Sequence, residues 1–89
     1  MNSKHRKTLR LIFTDPVSGN IPFSDIEALL VAVGAELSTG RGSRIRFDYG
    51  EESVYFHRPH PEKEALRYRV RDAREFLIRI GVTDEKYGI

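Results

Sequence analysis

Between Arg44 and His57 the chain alternates polar and apolar residues on both sides of a glycine turn, and this stretch restricts the fold most tightly. Ile45, Phe47 and Tyr49 alternate with Arg44, Arg46 and Asp48, the period-two pattern of a strand buried on one face. Gly50-Glu51-Glu52 supplies a turn, and Val54 and Phe56 then alternate with Ser53, Tyr55 and His57 in a partner strand. Glu36-Leu37-Ser38, leading into a Gly40-Arg41-Gly42 turn, offers one strand more, so the segment reads as an antiparallel meander of two or three strands. His57-Arg58-Pro59-His60-Pro61 ends it, because two prolines cannot continue a ladder.

The rest of the chain has helical spacing. Leu9, Ile12 and Phe13 fall at i, i+3 and i+4, with Lys4, Arg6, Lys7 and Arg10 on the other face. Asp15-Pro16 and Ser18-Gly19-Asn20 break that helix. Ser24 and Glu27 form a capping box for a second, in which Ile26, Leu29, Leu30 and Val33 recur before Gly34 stops it. A third carries Leu66, Val70, Ala73, Phe76, Leu77 and Ile80 on one face, Arg67, Arg71, Arg74 and Arg79 largely on the others, and ends at Gly81. Helix, helix, meander, helix packs most simply as an α+β two-layer sandwich, a three-stranded antiparallel sheet with helices on one face.

At 89 residues the chain has room for one domain, and its 39% of hydrophobic residues suffice for a small core. A domain this small leaves a shallow site and no deep cavity for a large cofactor, so none is expected. With no cysteine, disulfides, thiolate zinc and a cysteine nucleophile are excluded. No apolar run is long enough for a membrane span, and the polar, basic Met1–Arg10 lacks the core of a signal peptide, so a cytoplasmic location is expected. A net charge of +2 does not by itself argue for nucleic acid; the placement of the charges does.

Three places hold candidate chemistry. Gly40-Arg41-Gly42-Ser43-Arg44-Ile45-Arg46 sets three arginines around glycines that let backbone amides approach an anion, and alternation sends Arg44 and Arg46 to one solvent face, a geometry suited to two phosphates of one strand. The plainer reading is a hairpin turn with a solvated basic face. His57 and His60 flank Arg58 and Pro59 where the strand ends, and imidazole can take or give a proton near neutral pH. RNA cleavage without a metal needs a base for the ribose 2′-hydroxyl, an acid for the leaving 5′-oxygen and a cation for the crowded phosphate, and all three types occur here. The alternative is a surface loop or a hydrogen-bonded cap. His5 has no histidine or carboxylate at ligand spacing, and neither His57 nor His60 has a third ligand in register, so no metal is expected. The last helix follows Lys63 with Arg67, Arg69, Arg71 and Arg74. Arginine suits bidentate contact with phosphate or carboxylate, so this helix can meet RNA or an acidic protein, or stand solvated and paired with Asp72 and Glu75.

These residues and their order resemble the HicA-type toxins of bacterial toxin–antitoxin modules. The resemblance spans Ile21 to Val82: a helix ending at Val33-Gly34-Ala35, Gly40-Arg41-Gly42-Ser43 opening a strand, a histidine at a strand end, and an arginine-bearing helix closing at Ile80-Gly81-Val82. The Ser3–Phe13 helix and Phe56-His57-Arg58-Pro59-His60-Pro61 resemble a subgroup with an extra leading helix. The chain reads as one domain over residues 1–89 with a loosely held tail at 83–89, and the resemblance implies an extra helix at 3–14 and a fold like a double-stranded-RNA-binding domain. It implies metal-independent mRNA cleavage, and restraint by a HicB-type antitoxin presenting an acidic surface, the toxin being monomeric when free and hetero-oligomeric with its antitoxin. RNA would meet Arg41, Gly42, Ser43, Arg46, Arg58, Lys63, Arg67 and Arg71. The chain departs from the family at the catalytic position, where the usual Gly-Ser-His reads Gly42-Ser43-Arg44. A guanidinium cannot act as a base but can stabilise charge on phosphate. Either His57 or His60 supplies acid or base with Arg44 as the stabilising cation, or the protein binds RNA or its antitoxin without cutting.

Overall fold

The computed structural model describes residues 1–58 and 63–85. They form α1 (Ser3–Ile12), α2 (Phe23–Ala32), β1 (Glu36–Thr39), β2 (Arg44–Tyr49), β3 (Glu52–His57) and α3 (Arg67–Arg79). The strands make one antiparallel open sheet in the order β1-β2-β3. This is the α+β arrangement expected from the order of the elements.

Alternation decides which sheet face is covered. Ile45, Phe47, Val54 and Phe56 are buried and share one core with Leu9 and Ile12 of α1, Ile26, Leu29 and Leu30 of α2, and Val70, Ala73, Phe76 and Leu77 of α3. Phe56 is its hinge point: its ring stands edge-on to Phe23 at 5.4 Å and to Phe47 at 6.1 Å, joining β3 to α2 and to β2. Gly34 and Gly81 end α2 and α3 with φ of 107° and 82°, a conformation that favours glycine. Behind each glycine the chain folds back: Ala35 N–H donates to Leu30 O at 3.0 Å and Val82 N–H to Leu77 O at 2.8 Å, which satisfies orphan helix carbonyls.

Three sequence expectations are corrected. The Ser24–Glu27 capping box does not form. Helix α2 begins at Phe23 with Pro22 as its N-cap and no side-chain cap, because Phe23 N–H finds Lys63 O at 2.8 Å, beside a bridge between Pro22 and Glu64. Leu66 does not join the apolar face of α3; it is the N-cap residue and 47% exposed, and the neighbouring Ala65 takes the buried place. Tyr49, at the last position of β2, is exposed as well, with its ring against Gly34.

Helix α1 is fastened rather than appended. Lys4 Nζ lies 3.4 Å from Asp25 of α2, and Arg74 of α3 reaches its C-terminal end. Arg74 Nε donates to Ile12 O at 2.8 Å, Nη2 to Thr14 O at 3.0 Å and Nη1 to Asp15 at 3.0 Å. A guanidinium at these carbonyls satisfies acceptors and complements the helix dipole. Arg74→Met is therefore expected to lower stability by about 1–2 kcal/mol in urea unfolding. Arg74→Lys is expected to recover only part of that loss, since one ammonium cannot reproduce the planar fork. Full recovery by lysine would show that charge alone does the work.

Candidate functional site

The alternation that buries Ile45, Phe47, Val54 and Phe56 turns Arg44, Arg46, Tyr55 and His57 to the uncovered sheet face, where all four are exposed. The register sets Arg44 opposite His57, Arg46 opposite Tyr55 and Asp48 opposite Ser53. Arg58 N–H donates to Ser43 O at 2.9 Å, which makes Arg44–His57 a pair of the non-hydrogen-bonded kind, the one in which opposed side chains lie closest. The guanidinium carbons of Arg44 and Arg46 both lie over the Tyr55 ring, 5.5 Å and 5.4 Å from its centre. Beside them runs a groove of about 350 Å³ lined by Ser38, Thr39, Gly40, Arg41, Arg44, Ile45, Arg46 and Tyr55.

The two arginines are held differently. Arg46 Nε donates to Asp48 Oδ1 at 2.8 Å and its Nη2 contacts Ser53 Oγ at 3.4 Å, while Ser53 Oγ donates to the same carboxylate at 2.5 Å. The Ser53 hydroxyl, then Arg46, lower the Asp48 pKa below its ordinary 3.8, and Asp48 raises that of Arg46. A carboxylate held low contributes stability above its unfolded value and loses it as pH falls through the folded one. The parent is thus expected to be slightly more stable than Asp48→Asn at neutral pH, the gap closing below pH 3.8. Thermal melts across that range check this; a gap independent of pH would contradict it.

The remaining predicted contacts divide between the two layers. Arg41, Gly42 and Ser43 form the turn at the groove's end, Arg44 N–H donating to Arg41 O at 3.2 Å. Arg58 points back toward the helices, its Nε 2.8 Å from Glu27. Arg67 donates to Val17 O at 3.1 Å. Lys63 and Arg71 belong to the helical layer, both exposed, on the side of the sheet opposite Arg44 and Arg46. The sheet face and its groove thus bring together Arg41, Arg44, Arg46 and His57, with Gly42 and Ser43 in the adjoining turn, and not Arg58, Lys63, Arg67 or Arg71. His60 lies outside the described residues, as do residues 86–89 of the 83–89 tail.

Two residues of the site escaped the sequence reading. Tyr55 passed as one more polar-side residue of a strand; its signal was an aromatic ring at a solvent-facing position beside arginines. Arg69 was grouped with the helix arginines, yet its Nη1 donates to the His57 carbonyl and its Nε to Tyr68 Oη at 3.0 Å. It ties the start of α3 to the end of β3 and so positions His57. Among the described residues no three His, Asp or Glu side chains converge on a possible metal position, and no helix is long and apolar enough to cross a membrane.

An α+β domain with a three-stranded open sheet, helices on one face and a basic groove on the other is thus the class defined by fold and site. A family model described as the HicA toxin of bacterial toxin–antitoxin matches residues 23–81. The chain belongs to the HicA toxin family, and is a toxin of a toxin–antitoxin system. Helix α1 precedes the matched region, consistent with a subgroup bearing an extra N-terminal helix. No curated protein and no solved structure matches the chain.

Proposed function

We propose that the protein is a metal-independent endoribonuclease that cuts mRNA at the uncovered sheet face and is neutralised by a HicB-type antitoxin. The observation that carries this reading is the cross-strand pairing of Arg44 with His57 beside the groove. His57 takes the proton of a ribose 2′-hydroxyl, and the freed oxygen attacks the adjacent phosphorus. As that P–O bond forms, the bond to the 5′-oxygen breaks, and His60 returns a proton to the leaving oxygen. Arg44, with Arg41 at the turn, stabilises the charge that builds on the phosphate oxygens. The products are a 2′,3′-cyclic phosphate and a 5′-hydroxyl. An antitoxin with an acidic surface blocks the reaction by covering the same arginines.

A second reading is favoured by one feature: with Arg44 where the family usually has histidine, His57 is the single imidazole on this face among the described residues. In that reading the chain binds RNA or its antitoxin and does not cut. Incubation of the purified, antitoxin-free chain with a long single-stranded RNA in EDTA decides between them. Fragments ending in 2′,3′-cyclic phosphate are expected. Intact RNA from a folded chain would overturn the nuclease reading in favour of binding.

A further inference from the structure

We infer that Tyr55 is a stacking platform for one unpaired base, so that this face takes single-stranded RNA, with Arg44 moving from the tyrosine ring to a phosphate as the base arrives. The inference rests on RNA being the ligand of the sheet face, as proposed above, and on three observations. Tyr55 is 52% exposed at the centre of a strand, on the one sheet face that no helix covers. Among the described residues the core is built by the opposite face, so its packing does not call for a ring there.

The ring is held by its neighbours unequally. Arg46 lies over it at 5.4 Å and is itself tied to Asp48 and Ser53, so it stays in place and steadies the ring. Arg44 lies over it at 5.5 Å, and among the described residues that ring contact is the interaction of its side chain. A cation held on an exposed ring by this contact alone is worth only about 0.5–1 kcal/mol and is released readily. A phosphate offers the same guanidinium a charge-assisted bidentate contact, which is stronger. The vacated ring surface then accepts a base, and stacking is sequence-tolerant because every base has a π-face.

The groove fits this occupant. Its volume of about 350 Å³ is lined by Arg41 and Arg44 for the phosphate, Ser38 and Thr39 for polar contact with the sugar, and Tyr55 for the base. The bases of a duplex are already stacked on one another and cannot enter it.

The test uses 2′-O-methyl oligoadenylate, which binds but cannot be cut because its 2′-oxygen carries no proton. Its comparators are an adenine–uracil duplex of the same length and an abasic phosphodiester of equal charge. The parent is expected to bind the single strand at least tenfold more tightly than either. Tyr55→Leu is expected to weaken single-strand binding about 5- to 150-fold and to erase most of the preference for the single strand over the abasic polymer. Tyr55→Phe, which keeps the π-face, is expected to retain affinity. The chain has no tryptophan and four tyrosines, so oligoadenylate should quench tyrosine emission in the parent and quench it less in Tyr55→Phe. Equal affinity of parent and Tyr55→Leu for oligoadenylate, or preference for the duplex, would overturn the stacking role while leaving RNA as the ligand. Failure of the folded parent to bind all three polymers would overturn both readings.

Discussion

Alanine in place of His57 is expected to lower RNA cleavage in EDTA by about 100- to 10,000-fold, the range that a positioned general acid or base contributes. The size of the effect follows from Arg44. A guanidinium stays protonated and cannot accept the 2′-hydroxyl proton, so in the proposed mechanism the duty falls to the imidazole across the strand pair. His57 is exposed and holds α3 through its backbone carbonyl rather than its ring, so the substitution is expected to leave the melting temperature unchanged. Loss of rate with stability intact separates chemistry from folding. Arg44→Ala provides the contrast: it too should slow cleavage, but by weakening charge stabilisation and phosphate binding, so its loss should grow with salt-sensitive changes in KM. Unchanged cleavage by His57→Ala would take the base off this strand, and a His57→Ala, His60→Ala double variant that still cut RNA would remove histidine from the mechanism.

That Arg44 faces His57 was within reach of the sequence, and the reason is the turn. The sequence puts the turn at Gly50-Glu51-Glu52, whereas Glu52 opens β3 and pairs with Tyr49 around Gly50 and Glu51 alone; once that two-residue turn is set, every later pair is counted outward from it. Alternation did the rest, assigning Arg44 and Arg46 to the face that Ile45 and Phe47 do not use. The helix ends at Gly34 and Gly81 were legible for an equally local reason. What was not legible depends on partners far along the chain. Arg67 and Arg74 look like a solvated helix face, yet their acceptors are carbonyls of Val17, Ile12 and Thr14, about 50 to 60 residues away. The capping box failed in the same way, because Lys63 supplied an acceptor that no local motif announces. Glu27, freed from capping, pairs instead with Arg58, which turns a candidate RNA contact into a clasp between β3 and α2. Side chains with fixed local geometry are read from spacing; long side chains that search for partners are not.

The clasp and the Phe56 ring tie the site's position to the core, and Phe56→Ala is the substitution that tests this. It is expected to cost about 3–5 kcal/mol in denaturant unfolding, a large share of the roughly 5–15 kcal/mol that holds a domain together. Phe56 is 3% exposed and lies between Phe23 and Phe47, so alanine would open a cavity where α2, β2 and β3 meet. Relaxation cannot close it cheaply. Strands β2 and β3 are locked in register, and the start of α2 is pinned by the Phe23–Lys63 hydrogen bond. Because His57 follows Phe56 directly, binding and cleavage should fall together with the folded fraction, unlike the selective loss expected of His57→Ala. Phe56→Leu keeps most of the volume and should cost less, since hydrophobic swaps of similar size are better tolerated. Its residual activity per folded molecule should approach that of the parent. A Phe56→Ala variant less than about 1 kcal/mol below the parent would mean that the three rings do not form the junction on which the uncovered face is built.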